Sequence, residues 1–470
     1  QALGDASVTS LTVTGGITFD EVVEVYRIYA SGLLEGGADI LLLETTQDTL
    51  NLKAALFGIE TAQKDLDREA PVSVSVTIEP NGTMLAGQNI EALYHSICHF
   101  DLLSIGLNCA TGPAAMTDHL RTLSQISRFP VSAWPNAGLP NTEGKYTDTP
   151  EVFSKIIERF ANDGFVNIIG GCCGTSNEHI SAVCSVIRGI PPRIPVKDGR
   201  FPALAGAEAM VVEDDNRPVF VGERTNTIGS RKFKRLVSQE KWDASAEIGR
   251  KQVKKSAMVI DLCVANPDRD ELEDFTGVLR PLLRKVRGPI MMDTTDPKVV
   301  EAGLKNIGGK PAINSVNLED GGKRLRYVAE LARKYGASLV CGVIDEDPEQ
   351  GMATTVERKL EIAERIHGIL TTEFGIPEGD IIFDPLVFPA ATGDPAYLGT
   401  AEATIQGTKA IKERFPNCLT LLGISNVSFG LPPAGREVVN SVFLYKCAKA
   451  GLDLAIVNTE GLKRYPTISD

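Results

Sequence analysis

Short apolar strands alternating with amphipathic helices predict an α/β chain built as two (β/α)8 TIM-type barrels in tandem, the first lacking its opening strands. Three observations carry this. The strand–turn–helix rhythm runs through both halves and implies parallel strands joined by right-handed crossovers. The second half offers eight strand candidates, the number that closes such a barrel. Between the halves, the stretch from Arg188 to Pro218 is rich in Pro, Gly and charge and breaks the rhythm. The expected organisation is a first domain over 1–187, a linker over 188–216 and a second barrel over 217–470.

In the first half the strand candidates are ADILLLET, PVSVSVTI, LLSIGLN, PVSAWPN and VNIIGGCCG, with helices such as FDEVVEVYRIYASGLLEGG and TPEVFSKIIERFANDG between them. Five strands do not close a barrel. An open sheet is one explanation. Three strand–helix units missing before Gln1 is the other, and the lack of a start methionine favours it. The second half reads PVFVGERTN, MVIDLCV, PIMMDTT, PAINSVN, SLVCGVI, DIIFDPL, LTLLGISN and LDLAIVN. A full covering helix is not visible after Tyr465, so the C-terminus reads as cut too.

The net charge of -13 argues against nucleic acid or an anionic membrane as partner, since both reward a basic surface. No apolar run reaches the length of a membrane span. Nine cysteines are too sparse in 470 residues for a disulfide scaffold and read as reduced thiols in the cytoplasm.

Polar residues at the C-terminal ends of barrel strands face the mouth where catalysis sits. In the first half those ends carry Glu44, Asn108-Cys109, Asn136 and Cys172-Cys173, so three thiols gather at one mouth. Neighbouring strand residues point to opposite faces, so Cys172 and Cys173 reach one ion only if the chain turns, as Gly170, Gly171 and Gly174 permit. Three thiolates bind zinc and leave a fourth position open, a catalytic pattern. Small buried apolar residues are the alternative, adopted for Cys98, Cys184, Cys341, Cys418 and Cys447. His179 reads as a helix residue rather than a ligand.

Together ADILLLETTQD, GLNCATGP, WPNAGLP and GGCCGTSNEHI resemble the homocysteine S-methyltransferase domain. The resemblance implies that Cys109, Cys172 and Cys173 bind zinc, which takes up the homocysteine thiol, with Glu44 and Asn136 beside the substrate. The Asp-Gly-(Ala/Gly)-Met-Gly-Thr motif of that family's opening strand has no counterpart in this sequence.

The second half places Glu223, Asn226, Asp261, Asp293, Asn314, Asp384 and Asn426 at or near strand ends, with no His or Lys among them. Carboxylates accept paired N–H bonds and Asn both donates and accepts, a set suited to a flat heterocycle rich in N–H donors. Helix capping is the competing role, adopted for Asp296; Pro385 weakens it for Asp384. FVGERTNTIGSRKF, MMDTTD, INSVN, IIFDPLVFPAATG and LLGISNVSFGLP resemble the pterin-binding barrel shared by methionine synthases and methyltetrahydrofolate:corrinoid methyltransferases. By that resemblance Asp293, Asn314 and Asp384 hold the pterin ring, Glu223 lies nearby, and Asn426 is catalytic, close to N5. Asn226 and Asp261 join the folate-binding set, although Cys263 stands where the family usually has Asn.

A homocysteine domain followed by a pterin barrel resembles the cobalamin-dependent methionine synthases. The implied activity moves a methyl group from 5-methyltetrahydrofolate to cob(I)alamin, and from methylcobalamin to zinc-bound homocysteine thiolate. Cobalamin belongs to a domain outside this chain, since no Asp-x-His-x-x-Gly motif is present. Two alternatives stand beside this. A dihydropteroate-synthase-like pterin enzyme with an added zinc domain would end in Arg-x-His, which LAIVNTEGLKRYP lacks. A binding-competent but inactive fragment is the other.

Overall fold

A Thr18–Glu21 capping box starts the first helix in the computed structural model, which describes residues 16–197, 201–462 and 465–468. Helix α1 spans Phe19–Glu35 and packs on α2, Thr49–Leu66, whose first three turns are almost wholly buried. Strands β1 (Leu41–Thr46), β2 (Val72–Val76), β3 (Ser104–Asn108), β4 (Val131–Trp134) and β5 (Ile168–Ile169) form a parallel sheet in sequence order. Helices α3 (Ile90–Ile97), α4 (Pro113–Ile126), α5 (Pro150–Asn162) and α6 (Asn177–Ile187) complete this unit. The register pairs Ser73 with Ser104, Ser75 with Gly106, and Gly106 with Ser132. One sheet face is therefore lined by short polar side chains, while Val74, Ile105, Leu107 and Ala133 bury on the other. Among the described residues β1 is paired on one side only, and Leu42 is 45% exposed there.

The second unit is a closed barrel of eight parallel strands: β8 (Val219–Gly222), β9 (Val259–Leu262), β10 (Ile290–Asp293), β11 (Ala312–Val316), β12 (Ser338–Gly342), β13 (Ile381–Asp384), β14 (Leu419–Gly423) and β15 (Leu454–Val457). The helices between them are α7 (Arg231–Ser238), α8 (Trp242–Val253), α9 (Glu271–Lys285), α10 (Pro297–Leu304), α11 (Lys323–Tyr335), α12 (Val356–Gly368), α13 (Thr400–Arg414) and α14 (Pro433–Lys449).

The expected linker over 188–216 is corrected at both ends. Arg193 is buried against the first unit, donating to the carbonyls of Ser124, Ser127 and Phe129. Residues β6 (Ala203–Ala205) and β7 (Ala209–Val211) form an antiparallel hairpin within the second unit. Its Leu204 and Met210, with the following Val212, join the barrel's interior cluster of Val219, Val221, Val259, Met291, Ala312, Val340, Ile382 and Leu421. The hairpin floors the barrel. Its apolar residues sit two apart, but flanking prolines, glycines and acids hid the period.

That interior layer also fixes the opposite end. Side chains two residues further along a strand point the same way. Thus Val221 leads to Glu223, Val259 to Asp261, Met291 to Asp293, Ala312 to Asn314 and Ile382 to Asp384. The polar ring is the next inward layer above an apolar one. No helix among the described residues is long and apolar enough to cross a membrane.

Candidate functional sites

At the mouth of the first unit, Cys109 directly follows β3 and adopts a left-handed backbone (φ 60°), as does Ala110. Its amide donates to the Trp134 carbonyl at 3.0 Å. After β5 the chain turns so that Cys172 and Cys173 face one point. The Cys172 amide donates to Pro135, Ala137 donates to the Cys173 carbonyl, and the Cys173 amide donates to Asn136 Oδ1 at 3.1 Å. Gly170 is required because a Cβ would lie 2.1 Å from the Trp134 ring, and Gly174 because its φ is +79° and the Tyr146 ring covers it.

The three sulfurs lie within 4.8 Å of one another, with Cys109–Cys173 at 3.7 Å and Cys172–Cys173 at 3.9 Å. A tetrahedral zinc with Zn–S bonds of about 2.3 Å sets its sulfurs about 3.8 Å apart, so the spacing fits the ion. Burial, and then the neighbouring thiols, push Cys172 up to about 12. Three thiolates this close repel one another, which a divalent cation would relieve.

Asn136 is buried and its carbonyl oxygen holds the Cys173 amide. Glu44 is exposed at the end of β1, where a register shift between Leu43 and Thr46 re-aims the strand. Asn108 secures that bulge, accepting from the Thr45 amide and Ser75 hydroxyl while donating to Thr45 Oγ1. Tyr146, in the loop after β4, carried no sequence signal. Its hydroxyl hydrogen-bonds with Cys173, which raises the phenol's pKa. His179 stays outside the cluster, closing the α6 capping box. Cys98, Cys341, Cys418 and Cys447 are buried as expected, but Cys184 is exposed because it falls on the outer face of α6.

In the second unit the inward polar layer is one network. Asn314 donates to Asp261 and Asn226 donates to Asp293, both at 3.3 Å. The Cys263 thiol hydrogen-bonds with Asp293, so the residue that departs from the family pattern still reaches this network. Asp261 is wholly buried, and desolvation followed by the charge of Asp293 raises it well above the usual carboxylate range. Burial lifts Asp293 to about 6. Glu223 is raised by burial and accepts from the Ser425 hydroxyl.

Asp384 ends β13. Its Oδ1 accepts from the Leu386 amide at 2.9 Å, and burial lifts it to about 6. Since α13 starts only at Thr400, Asp384 caps no helix. Asp296 does cap α10, accepting from the Lys298 amide. Asn226 Oδ1 is taken by the amides of Ile228 and Gly229, leaving its NH2 for the network. Asn426 lies on the 3-10 turn Ile424–Ser428, exposed, its carboxamide without a partner among the described residues. Sequence reasoning missed Lys359, which is buried behind Asp384.

Residues 2–187 match the family model of homocysteine S-methyltransferase, and residues 222–458 match that of pterin binding enzymes. The chain is 39% identical over 460 residues to methionine synthase of Mycobacterium tuberculosis, an alignment covering 96% of this chain and 38% of that protein. Against methionine synthase of Mycobacterium leprae the figures are 39% over 467 residues, 96% and 38%. The chain thus spans 38% of the length of the curated relatives it matches. Among solved structures, a dihydropteroate synthase of Xanthomonas albilineans gives a TM-score of 0.42 at 17% identity, covering 56% of this chain and 94% of that one.

Proposed function

The chain belongs to the pterin binding enzymes, with a homocysteine S-methyltransferase region ahead of its barrel, and from that premise we propose that it is the substrate-binding part of a cobalamin-dependent methionine synthase. The first unit takes homocysteine and the second takes 5-methyltetrahydrofolate. The methyl carrier is a cobalamin on another domain of the full protein, in keeping with relatives that are much longer. Nine free cysteines suit a reducing compartment, and we place the protein in the cytoplasm.

The observation that carries this reading is the thiol triad at the sulfur spacing of a tetrahedral zinc site. Cys109, Cys172 and Cys173 hold the ion; bound zinc supplies the Lewis acidity that keeps a substrate thiol deprotonated at neutral pH. Asn136 fixes the Cys173 backbone, and the Tyr146 hydroxyl drains charge from the Cys173 sulfur. Glu44, free of partners among the described residues, suits the substrate's ammonium group.

In the second unit Asp384, Asp293 and Asn314 accept and donate along the pterin's N–H edge, with Asp261, Asn226 and Glu223 around them. Carboxylates at about 6 are mostly ionised at neutral pH, which suits acceptors for the ring's N–H donors. Asn426, unpaired at the mouth, donates a hydrogen bond towards N5 but has no acidic proton, so the proton comes from water or from the pterin.

The test is methyl transfer from labelled 5-methyltetrahydrofolate to homocysteine by the zinc-loaded chain with free reduced cobalamin. Labelled methionine is expected. Zinc and folate binding without any transfer would favour a binding-only fragment, and failure to bind folate would remove the reading.

A further inference from the structure

We propose that Lys359 is a positioning residue of the folate site, a buried counter-cation to the Asp384 carboxylate that also anchors the loop behind it. This rests on reading the mouth of the second unit as the folate site. Lys359 lies on α12 with 0% exposure, where a lysine is rarely found unless paired. Its ammonium donates to the Ala353 carbonyl at 2.7 Å and to the Pro385 carbonyl at 2.5 Å. Pro385 directly follows Asp384, so the cation sits beneath the residue assigned to the pterin edge. The third ammonium proton has no partner among the described residues. The Lys359 ammonium offsets part of the cost of burying the Asp384 charge, and the Asp384 carboxylate in turn favours the charged lysine.

The fold makes room for this side chain. On α13, a Cβ at Gly407 would sit 2.6 Å from Lys359 Cδ, and the ammonium lies 5.2 Å from the Phe388 ring centroid. Tying two carbonyls together needs only a neutral donor. Burying a charge instead is costly, and desolvation lowers this lysine to about 8. The charge has a use if Asp384 must stay ionised. A buried carboxyl without a counter-charge drifts neutral near pH 7, and a neutral carboxyl presents a proton to the pterin's own N–H donors.

The test is titration of 5-methyltetrahydrofolate onto the zinc-loaded chain from pH 6.5 to 8.5, with thermal melting as the check on folding. Lys359→Met should bind about threefold more weakly or worse at pH 6.5, and the deficit should shrink by pH 8.5. The reason is that losing the cation lifts the Asp384 titration, and one unit up from about 6 cuts the ionised fraction at pH 6.5 about threefold. In an Asp384→Asn background the same change should cost little more, whereas a purely structural lysine would give additive losses. A folded Lys359→Met that binds like the parent at pH 6.5 overturns the inference, as does additivity. If Lys359→Met does not fold, Gly407→Ala decides: it displaces the stem, keeps the charge, and should weaken binding with the same pH trend. Unchanged binding in that variant overturns the inference. Weak folate binding by Asp384→Asn with no effect of Lys359→Met leaves the site reading standing; full affinity in Asp384→Asn overturns both.

Discussion

Replacing Asp384 with Asn should make the second unit more stable and less able to bind folate. The folded protein lifts this carboxyl from 3.8 to about 6, chiefly through burial. The sign follows from linkage. With the folded value above the unfolded one, the residue's contribution to stability is intact below about pH 4 and is lost as pH rises through about 6. At pH 8 the ionised group therefore costs about 3 kcal/mol relative to its neutral form. The side chain keeps some contact with solvent at the barrel mouth, so this is an upper bound. Asn has the shape of the neutral acid and can still accept from the Leu386 amide. A gain of about 1–3 kcal/mol at pH 8 is expected, falling to nothing near pH 4. Folate pays the opposite way: the substitution turns a two-point acceptor into a donor facing donors, costing about 1–3 kcal/mol, or about tenfold to a few hundredfold in affinity. Urea unfolding at pH 8 and pH 4.5, beside folate titration at pH 7.5, measures both. An Asp384→Asn protein that binds folate like the parent, or that loses stability at pH 8, refutes the placement.

Cys173→Ala should remove most bound zinc while leaving folate affinity unchanged, with metal analysis and zinc-edge absorption reporting three sulfur ligands in the parent; undiminished zinc would sink the ligand set. Asn426→Ala should slow single-turnover methyl transfer to free cob(I)alamin more than it weakens folate binding, because an exposed, unpartnered amide costs little to remove until charge develops at N5. Equal losses in rate and affinity would make Asn426 a binding residue only. Leu204→Ala, in the hairpin that floors the barrel, should destabilise the second unit by about 2–5 kcal/mol in urea without changing zinc content. Loss of less than about 1 kcal/mol would return that segment to the status of a linker.

Much of both sites was legible because barrels are periodic. Parallel strands in sequence order bring strand C-termini to one mouth, so Cys109 and Cys172 meet although 63 positions apart. The pairing of Cys172 with Cys173 was readable only as a condition on a turn, which the glycines met. What escaped reading has no period. Arg193 binds three carbonyls from a stretch that looks like a linker, and Tyr146 reaches Cys173 from an irregular loop. The β6–β7 hairpin is too short for its alternation to stand out against Pro202 and Gly206. Lys359 was invisible for another reason: on an amphipathic helix a lysine reads as solvent-facing, and only the packing of Gly407 and Pro385 shows it turned inward.

The two mouths handle negative charge by different means, and the difference fits what each is proposed to bind. The thiol cluster gathers three potential anions that, among the described residues, hydrogen-bond with one another and with Tyr146 rather than with a lysine or arginine, which is why an external cation is proposed there. The proposed pterin layer gathers Glu223, Asp261, Asp293 and Asp384, set among amides, a thiol, the Ser425 hydroxyl, the guanidiniums of Arg224 and Arg436 and one buried ammonium. Burial holds Asp261 towards its neutral form, whereas Asp293 and Asp384, each lifted to about 6, keep most of their charge at neutral pH, Asp384 with the Lys359 ammonium acting on it and Glu223 with Arg224 and Arg436. Ionised acceptors interleaved with carboxamides suit the edge of a heterocycle that offers adjacent N–H donors.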